Sequence, residues 1–355
     1  MDAKLNPMPG GLDAFPLARY RFEFRVTKAV RLPDYAGSML RGAFGHALRQ
    51  IACMTQRKDC AGCPLAATCP YPAIFAPQGP AEHALQKFTQ VPAPYIIEPP
   101  VWGARVLHEG SRLDFHLTLI GGALKELPLI ILAWRRALAR GIGAGDGTAE
   151  LLRVVYSPLA GGQIEREIHR PETGSIEAHK QVFDAMAQGE TTANRVTLSF
   201  RTPLRLQKNG RALPPERLDA RTLLMALIRR ASLLSEFHAG GPLLSDFSGM
   251  AERAAKLVDN RQLVWRDWAR YSSRQQQKMS LGGVVGSWRL EGDLAPFMPY
   301  LRLGEWLHVG KEATFGMGGY AFEEASTKDI SIDTRDSRGR PLQAIEGKEQ
   351  IAVPQ

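Results

Sequence analysis

One pattern, an alternating strand that leads through a proline-bearing loop into an amphipathic helix, occurs twice and constrains the fold of this 355-residue chain more than any other feature. In RYRFEFRVT, Tyr20, Phe22, Phe24 and Val26 alternate with Arg19, Arg21, Glu23 and Arg25, the mark of a strand buried on one face. RVTLSFR repeats it from Arg195, with Val196, Leu198 and Phe200 opposed to Thr197, Ser199 and Arg201. Pro33 and Pro203 follow, and then the helices. In GSMLRGAFGHALRQIAC, Ser38 is the expected N-cap, and Leu40, Ala43, Phe44, Ala47, Leu48 and Ile51 form the apolar stripe. In DARTLLMALIRRASLLSEF, Asp219 is the cap, and Leu224, Leu227, Ile228, Ala231 and Leu234 form the buried face.

The rest of the chain extends both units. The first continues with the alternating strand RLDFHLTLI from Arg112, a helix near residues 126–140 and a strand LLRVVY from Leu151, with one middle strand hard to place. The second continues with strands around 262–290, a short helix near 295–307 and a closing strand at GYAFEE. The order is βαββαβ-like in both, so the expected class is α+β, with two tandem ferredoxin-like (RRM-like) domains. Residues 1–190 and 191–325 are the expected domains, joined near the small and polar AMAQGETTA, with a flexible tail over 326–355.

The four cysteines, Cys53, Cys60, Cys63 and Cys69, all fall within 17 residues at the spacing C-x6-C-x2-C-x5-C. The opening MDAKLNPMPGGLDAFP has no apolar core, and LPLIILAW is too short to span a bilayer, so a cytoplasmic protein without a membrane partner is expected. In that reducing setting clustered thiols read as a metal site, a Cys-rich insertion over residues 53–80 of the first domain. Four thiolates can close a tetrahedral zinc shell and pin a loop rich in Pro64, Pro70 and Pro72. An iron–sulfur cluster and free thiols are the alternatives. Any such site is structural, because four protein ligands leave no open coordination position.

Forty-five Lys and Arg against 36 Asp and Glu give a net charge of +9, which favours polyanionic partners. The glycine-rich GEWLHVGKEATFGMGGY, residues 304–320, is not a nucleotide phosphate loop. Five residues rather than four separate Gly304 from Gly310, and Glu312 stands where a magnesium-ligating hydroxyl is needed. RNA chemistry needs no such loop, because the 2′-OH is the nucleophile and protein groups only move protons and neutralise the phosphorane. Tyr35 before the first helix, His46 on it and Arg49 one turn later supply an orienting phenol, a group that titrates near neutrality and a cation. Gly42 and Gly45 share the side of that helix with Arg41, His46 and Arg49, where missing side chains would let another backbone come close. The sequence has no paired carboxylates suited to two magnesium ions, so catalysis is expected to need no cofactor.

YAGSMLRGAFGHALR, RVTLSFRTPLRL, RYSSRQQQKMSLGGVVG and HVGKEATFGMGGY together resemble the CRISPR-associated endoribonucleases of the RAMP superfamily that cut precursor CRISPR RNA within its repeats. The likeness runs over most of residues 19–325. It implies metal-independent cleavage to 2′,3′-cyclic phosphate and 5′-hydroxyl ends, with repeat RNA and CRISPR effector subunits as partners. It places the catalytic histidine and tyrosine on His46 and Tyr35. The lysine that follows in the family has no match, since position 52 is Ala, and Arg49 or Lys58 would have to replace it. It also implies that the glycine loop, with Gly310, Gly316, Gly318 and Gly319, approaches the RNA backbone while Lys311 meets a phosphate. His308 is a rival catalytic histidine. Arg266, Arg270, Arg274 and Lys278, interleaved with Trp265, Trp268 and Tyr271, would grip RNA from a hairpin, and Arg41 joins them as an RNA contact. A non-cleaving RNA-binding scaffold subunit, or a zinc-containing structural protein outside RNA metabolism, is the competing expectation.

Overall fold

The computed structural model describes residues 11–79, 91–159, 164–186, 194–243, 246–272 and 277–325. The chain first runs through β1 (Phe15–Lys28), β2 (Val30–Leu32), α1 (Gly37–Ala52), α2 (Pro70–Phe75), β3 (Tyr95–Glu98), β4 (Arg105–Leu107), β5 (Arg112–Ile120), α3 (Leu127–Arg140), β6 (Thr148–Ser157), β7 (Arg166–His169) and β8 (Val182–Phe183). It continues with β9 (Arg195–Leu204), β10 (Gln207–Lys208), β11 (Arg211–Ala212), α4 (Ala220–His238), α5 (Phe247–Ala254), β12 (Val258–Ser272), β13 (Gln277–Glu291), α6 (Met298–Leu307) and β14 (Tyr320–Ala325). The result is a mixed α/β fold with antiparallel sheets.

The two alternating strands are the centres of those sheets. β1 lies between β5 and β6 in the order β3-β5-β1-β6-β7, with β8 pairing its first residues. β9 lies between β13 and β14 in the order β12-β13-β9-β14. In both, an edge strand follows the first helix (β3, β12), a later long strand (β5, β13) pairs with the opening strand, and β6 or β14 pairs on its other side. The middle strand that the sequence left unplaced is β3, whose short run Tyr95–Ile97 is fully buried. Alternation fails there because neither face meets water.

Each sheet has its own core. In the first, Phe22, Phe24, Phe115 and Trp134 are all buried, and Phe44 of α1 stacks on Trp134 of α3 at 5.0 Å. In the second, Leu224, Leu227, Ile228, Ala231 and Leu234 of α4 pack with Trp288, Phe297 and Leu301. Asp219 caps α4 as expected, accepting from the Thr222 backbone N–H at 2.6 Å. Ser38 does not cap α1. The helix starts at Gly37 with Ala36 at the cap, two residues earlier than a Ser38 cap would place it; a Cβ on Gly37 would lie 2.0 Å from the Phe315 carbonyl oxygen, so a tertiary contact sets the start in place of a local cap. Residues 187–193 of the join expected near 185–193, and the tail over 326–355, lie outside the described residues.

Candidate functional site

Helix α1 has one greasy and one open side. Leu40, Phe44, Ala47 and Leu48 are buried, with Ala43 and Ile51 packed at the margin of the same core. The opposite side carries Gly42, His46 and Gln50, all exposed and each one turn from the next. His46 Nε2 sits 2.9 Å from Gln50 Nε2. The two helix glycines have different causes. A Cβ on Gly45 would come within 2.1 Å of the Phe75 ring, so its missing side chain seats α2. A Cβ on Gly42 would meet nothing within 4 Å. Nothing in the described chain uses that omission, although a helix-interior glycine costs about 1 kcal/mol.

The other two members of the expected triad do not join His46. Tyr35 is buried, its hydroxyl donating to the Phe315 carbonyl oxygen at 2.8 Å, and burial pushes its phenol well above the usual range. Held this way, the phenol braces the loop at Phe315. The Arg49 guanidinium turns toward the cysteine loop, donating to the carbonyls of Arg57 and, at 2.9 Å, Lys58, and lying 5.8 Å from the Tyr71 ring centre. Arg41, expected to contact RNA, lies against α2. Its guanidinium lies 4.5 Å over the Phe75 ring and staples α1 to α2. Both departures share one cause: flat guanidinium groups take the nearest carbonyls and aromatic faces, and α2 with its preceding loop supplies them.

The glycine stretch packs largely against the protein itself. Gly316, Gly318 and Gly319 are buried, and the protein's own atoms require their missing side chains. Gly316, at φ +95, would press a Cβ on the Ile97 carbonyl and the Tyr35 hydroxyl at 2.6 and 2.8 Å, and Gly318, at φ +71, on the Val309 carbonyl at 1.8 Å. Gly319 lies against the His308 ring, and Gly310, at φ +90, against the Arg205 carbonyl. The loop is a seam between the two sheets, with Gly316, Gly318 and Gly319 buried in it and Gly310 half-buried at its margin. Lys311 alone is exposed there. His308, the rival histidine, lies beside this loop. It is buried, its Nδ1 lies 3.3 Å from the Met317 carbonyl oxygen, and burial lowers its pKa to about 4.

The basic segment forms a long hairpin, β12 with β13, as the resemblance implied, and not a helix. Arg266 is exposed on it, with its guanidinium 4.2 Å over the Trp102 ring. Trp268 is buried at the same seam against Tyr35 at 4.9 Å. Arg274, and the side chains of Arg270 and Lys278, lie outside the described residues. Sequence reasoning missed Trp102, whose only signal is an isolated tryptophan in PPVWGAR, and the ion pair of Arg19 with Glu98 at 2.7 Å. Burial raises the Glu98 pKa, but the bond and charge of Arg19 more than offset this and hold it at about 2.

Cys53, Cys60, Cys63 and Cys69 are half-buried and unpaired, and line one small cavity with Thr55, Leu65 and Tyr71. Among the described residues, no three His, Cys, Asp or Glu side chains converge closely enough to hold a metal ion. No helix among them is long and apolar enough to cross a membrane.

Residues 15–181 match the AF_1859_N family model, described as an N-terminal domain, and residues 198–320 match the model described as CRISPR-associated endoribonuclease Cas6. No curated protein matches the chain. Among solved structures, the Thermus thermophilus Cas6 product complex aligns with a TM-score of 0.52 at 17% identity, over 86% of this chain and 100% of that one. A partial Cas6-RT-Cas1–Cas2 complex aligns with a TM-score of 0.50 at 13% identity, over 88% of this chain and 47% of that one. At such identities the likeness is one of fold. Residues 198–320 thus match the Cas6 endoribonuclease model, and the chain as a whole has a fold similar to that of solved Cas6 structures.

Proposed function

We propose that this protein is a metal-independent endoribonuclease that cuts precursor CRISPR RNA within its repeats by attack of the 2′-OH, leaving 2′,3′-cyclic phosphate and 5′-hydroxyl ends. The family model carries the endoribonuclease description, and the chain's own support is the open face of α1, where His46 is exposed beside Gly42. His46 moves the proton, since the ring nitrogens of an imidazole can accept one or donate one to the reacting oxygens. Lys58, exposed on the loop whose carbonyls Arg49 grips, supplies the cation for the phosphorane. The recurrent strand order supports two ferredoxin-like units in tandem, the first with the cysteine-rich segment inserted after α1. Repeat RNA and effector subunits are the partners in this reading.

The deciding experiment incubates labelled repeat RNA in EDTA with the wild-type protein and with His46→Ala. The expected outcome is a cyclic-phosphate product from wild type, and lost cutting with retained binding in the variant. Full cutting by His46→Ala refutes the assignment. Since neither Tyr35 nor Arg49 meets His46, a second reading, an RNA-binding subunit that does not cut, has its own support, and it predicts salt-dependent binding without any product.

A further inference from the structure

We propose that Cys53, Cys60, Cys63 and Cys69 bind one zinc ion as a tetrathiolate, and that this ion is the staple of the loop between α1 and α2. No residue from 53 to 69 is buried, so this stretch has no apolar core. Its backbone bonds are short-range: Cys63 N–H to the Cys60 carbonyl at 3.2 Å, Ala66 to Cys63 at 3.0 Å and Cys69 to Leu65 at 2.9 Å. None of these ties the beginning of the loop to its end. A segment of this length without a core or sheet pairing does not hold one shape unless something crosslinks it, and structural metals commonly do so.

The thiols are placed for that task. All four line the same cavity of about 20 Å³, space for one particle of about water's size. A four-iron cubane is far larger, so the room favours a single ion. Gly62, at φ +65, turns the chain sharply between Cys60 and Cys63. Because no three ligand-type side chains converge as they stand, closing the shell takes inward rotation of these half-buried thiols about χ1. The charge also fits. Zinc with four thiolates carries two negative charges, and the loop is surrounded by cations held by its own carbonyls: Arg49 bonds Arg57 and Lys58, and Arg57 bonds Gly62 at 3.0 Å.

The test needs no RNA. Wild-type protein purified without chelator is analysed for metal, and its thiols are titrated before and after a mercurial. One zinc per chain, released as the four thiols react, is the expected result. Cobalt added to the stripped protein should give the intense visible bands of a tetrahedral thiolate site, and Cys60→Ser and Cys63→Ser should each lose stoichiometric zinc. Sub-stoichiometric zinc in the wild-type protein, four thiols that titrate at once without metal release, or a brown iron chromophore would each overturn the assignment, whether or not the serine variants fold.

Discussion

Replacing Gly42 by alanine separates two explanations of the open helix face. The site is in the middle of α1, and a Cβ there meets no protein atom within 4 Å. From backbone entropy alone, Gly42→Ala should therefore stabilise the free protein by about 1 kcal/mol. For a chain of this size that is a rise in melting temperature of roughly 1–2 °C. If the RNA backbone passes over this position to reach His46, the added methyl displaces it by about the width of a carbon. A misplacement of about 1 Å can cost on the order of 100-fold in rate. Single-turnover cleavage of repeat RNA, measured beside thermal unfolding of the same preparations, reads both effects. The expected pair is a higher melting temperature with cleavage reduced at least about tenfold, a barrier change of about 1.4 kcal/mol. A stabilised variant that cuts as fast as wild type would show that nothing approaches Gly42, and the α1 face would lose its role as the substrate surface.

Gly45→Ala should do the opposite of Gly42→Ala, destabilising by about 1–3 kcal/mol because its methyl collides with the Phe75 ring; an unchanged denaturation midpoint would contradict the seating of α2. Tyr35→Phe removes the bond to the Phe315 carbonyl and should cost about 1–2 kcal/mol while leaving cleavage within a few-fold; abolished cleavage at native stability would return the phenol to the chemistry. Acid should weaken the fold between pH 6.5 and 4, because burial holds His308 and His116 at about 4 and the unfolded chain takes up those protons first. The stability is therefore complete above pH 6.5 and lost as pH falls to 4, with His308 contributing as much as about 3 kcal/mol. Urea titrations of His308→Gln at several pH values should show a shallower slope across that window, and an identical slope would refute it.

What was legible in the sequence were the elements that carry their own pattern. β1, β5 and β9 follow period-two alternation, α1 and α4 follow helical stripes, and the cap at Asp219 is a local hydrogen bond. From these the opening strand and first helix of each unit could be anticipated. β3 was illegible because burial on both faces erases alternation. Within the candidate site, His46 was legible as an exposed imidazole on a helix, but its neighbours were not. Spacing on a helix says which side chains project together; it does not say that Arg49 will find the carbonyls of Arg57 and Lys58, or Arg41 the ring of Phe75. The glycine stretch misled for a related reason. A dense run of glycines announces a close approach of two backbones without naming the second one, and here it belongs to Ile97, Val309 and Arg205 of the same chain.

The contact of Gly37 with the Phe315 carbonyl, braced by the Tyr35 hydroxyl, makes the first turn of the histidine-bearing helix a shared possession of both halves. Cut away from its C-terminal partner, the amino-terminal half would present that phenol with no acceptor and lose the lid above Gly37. An isolated fragment ending before β9 is therefore a poor surrogate for the intact protein, and the pose of His46 should be studied only with the second sheet in place.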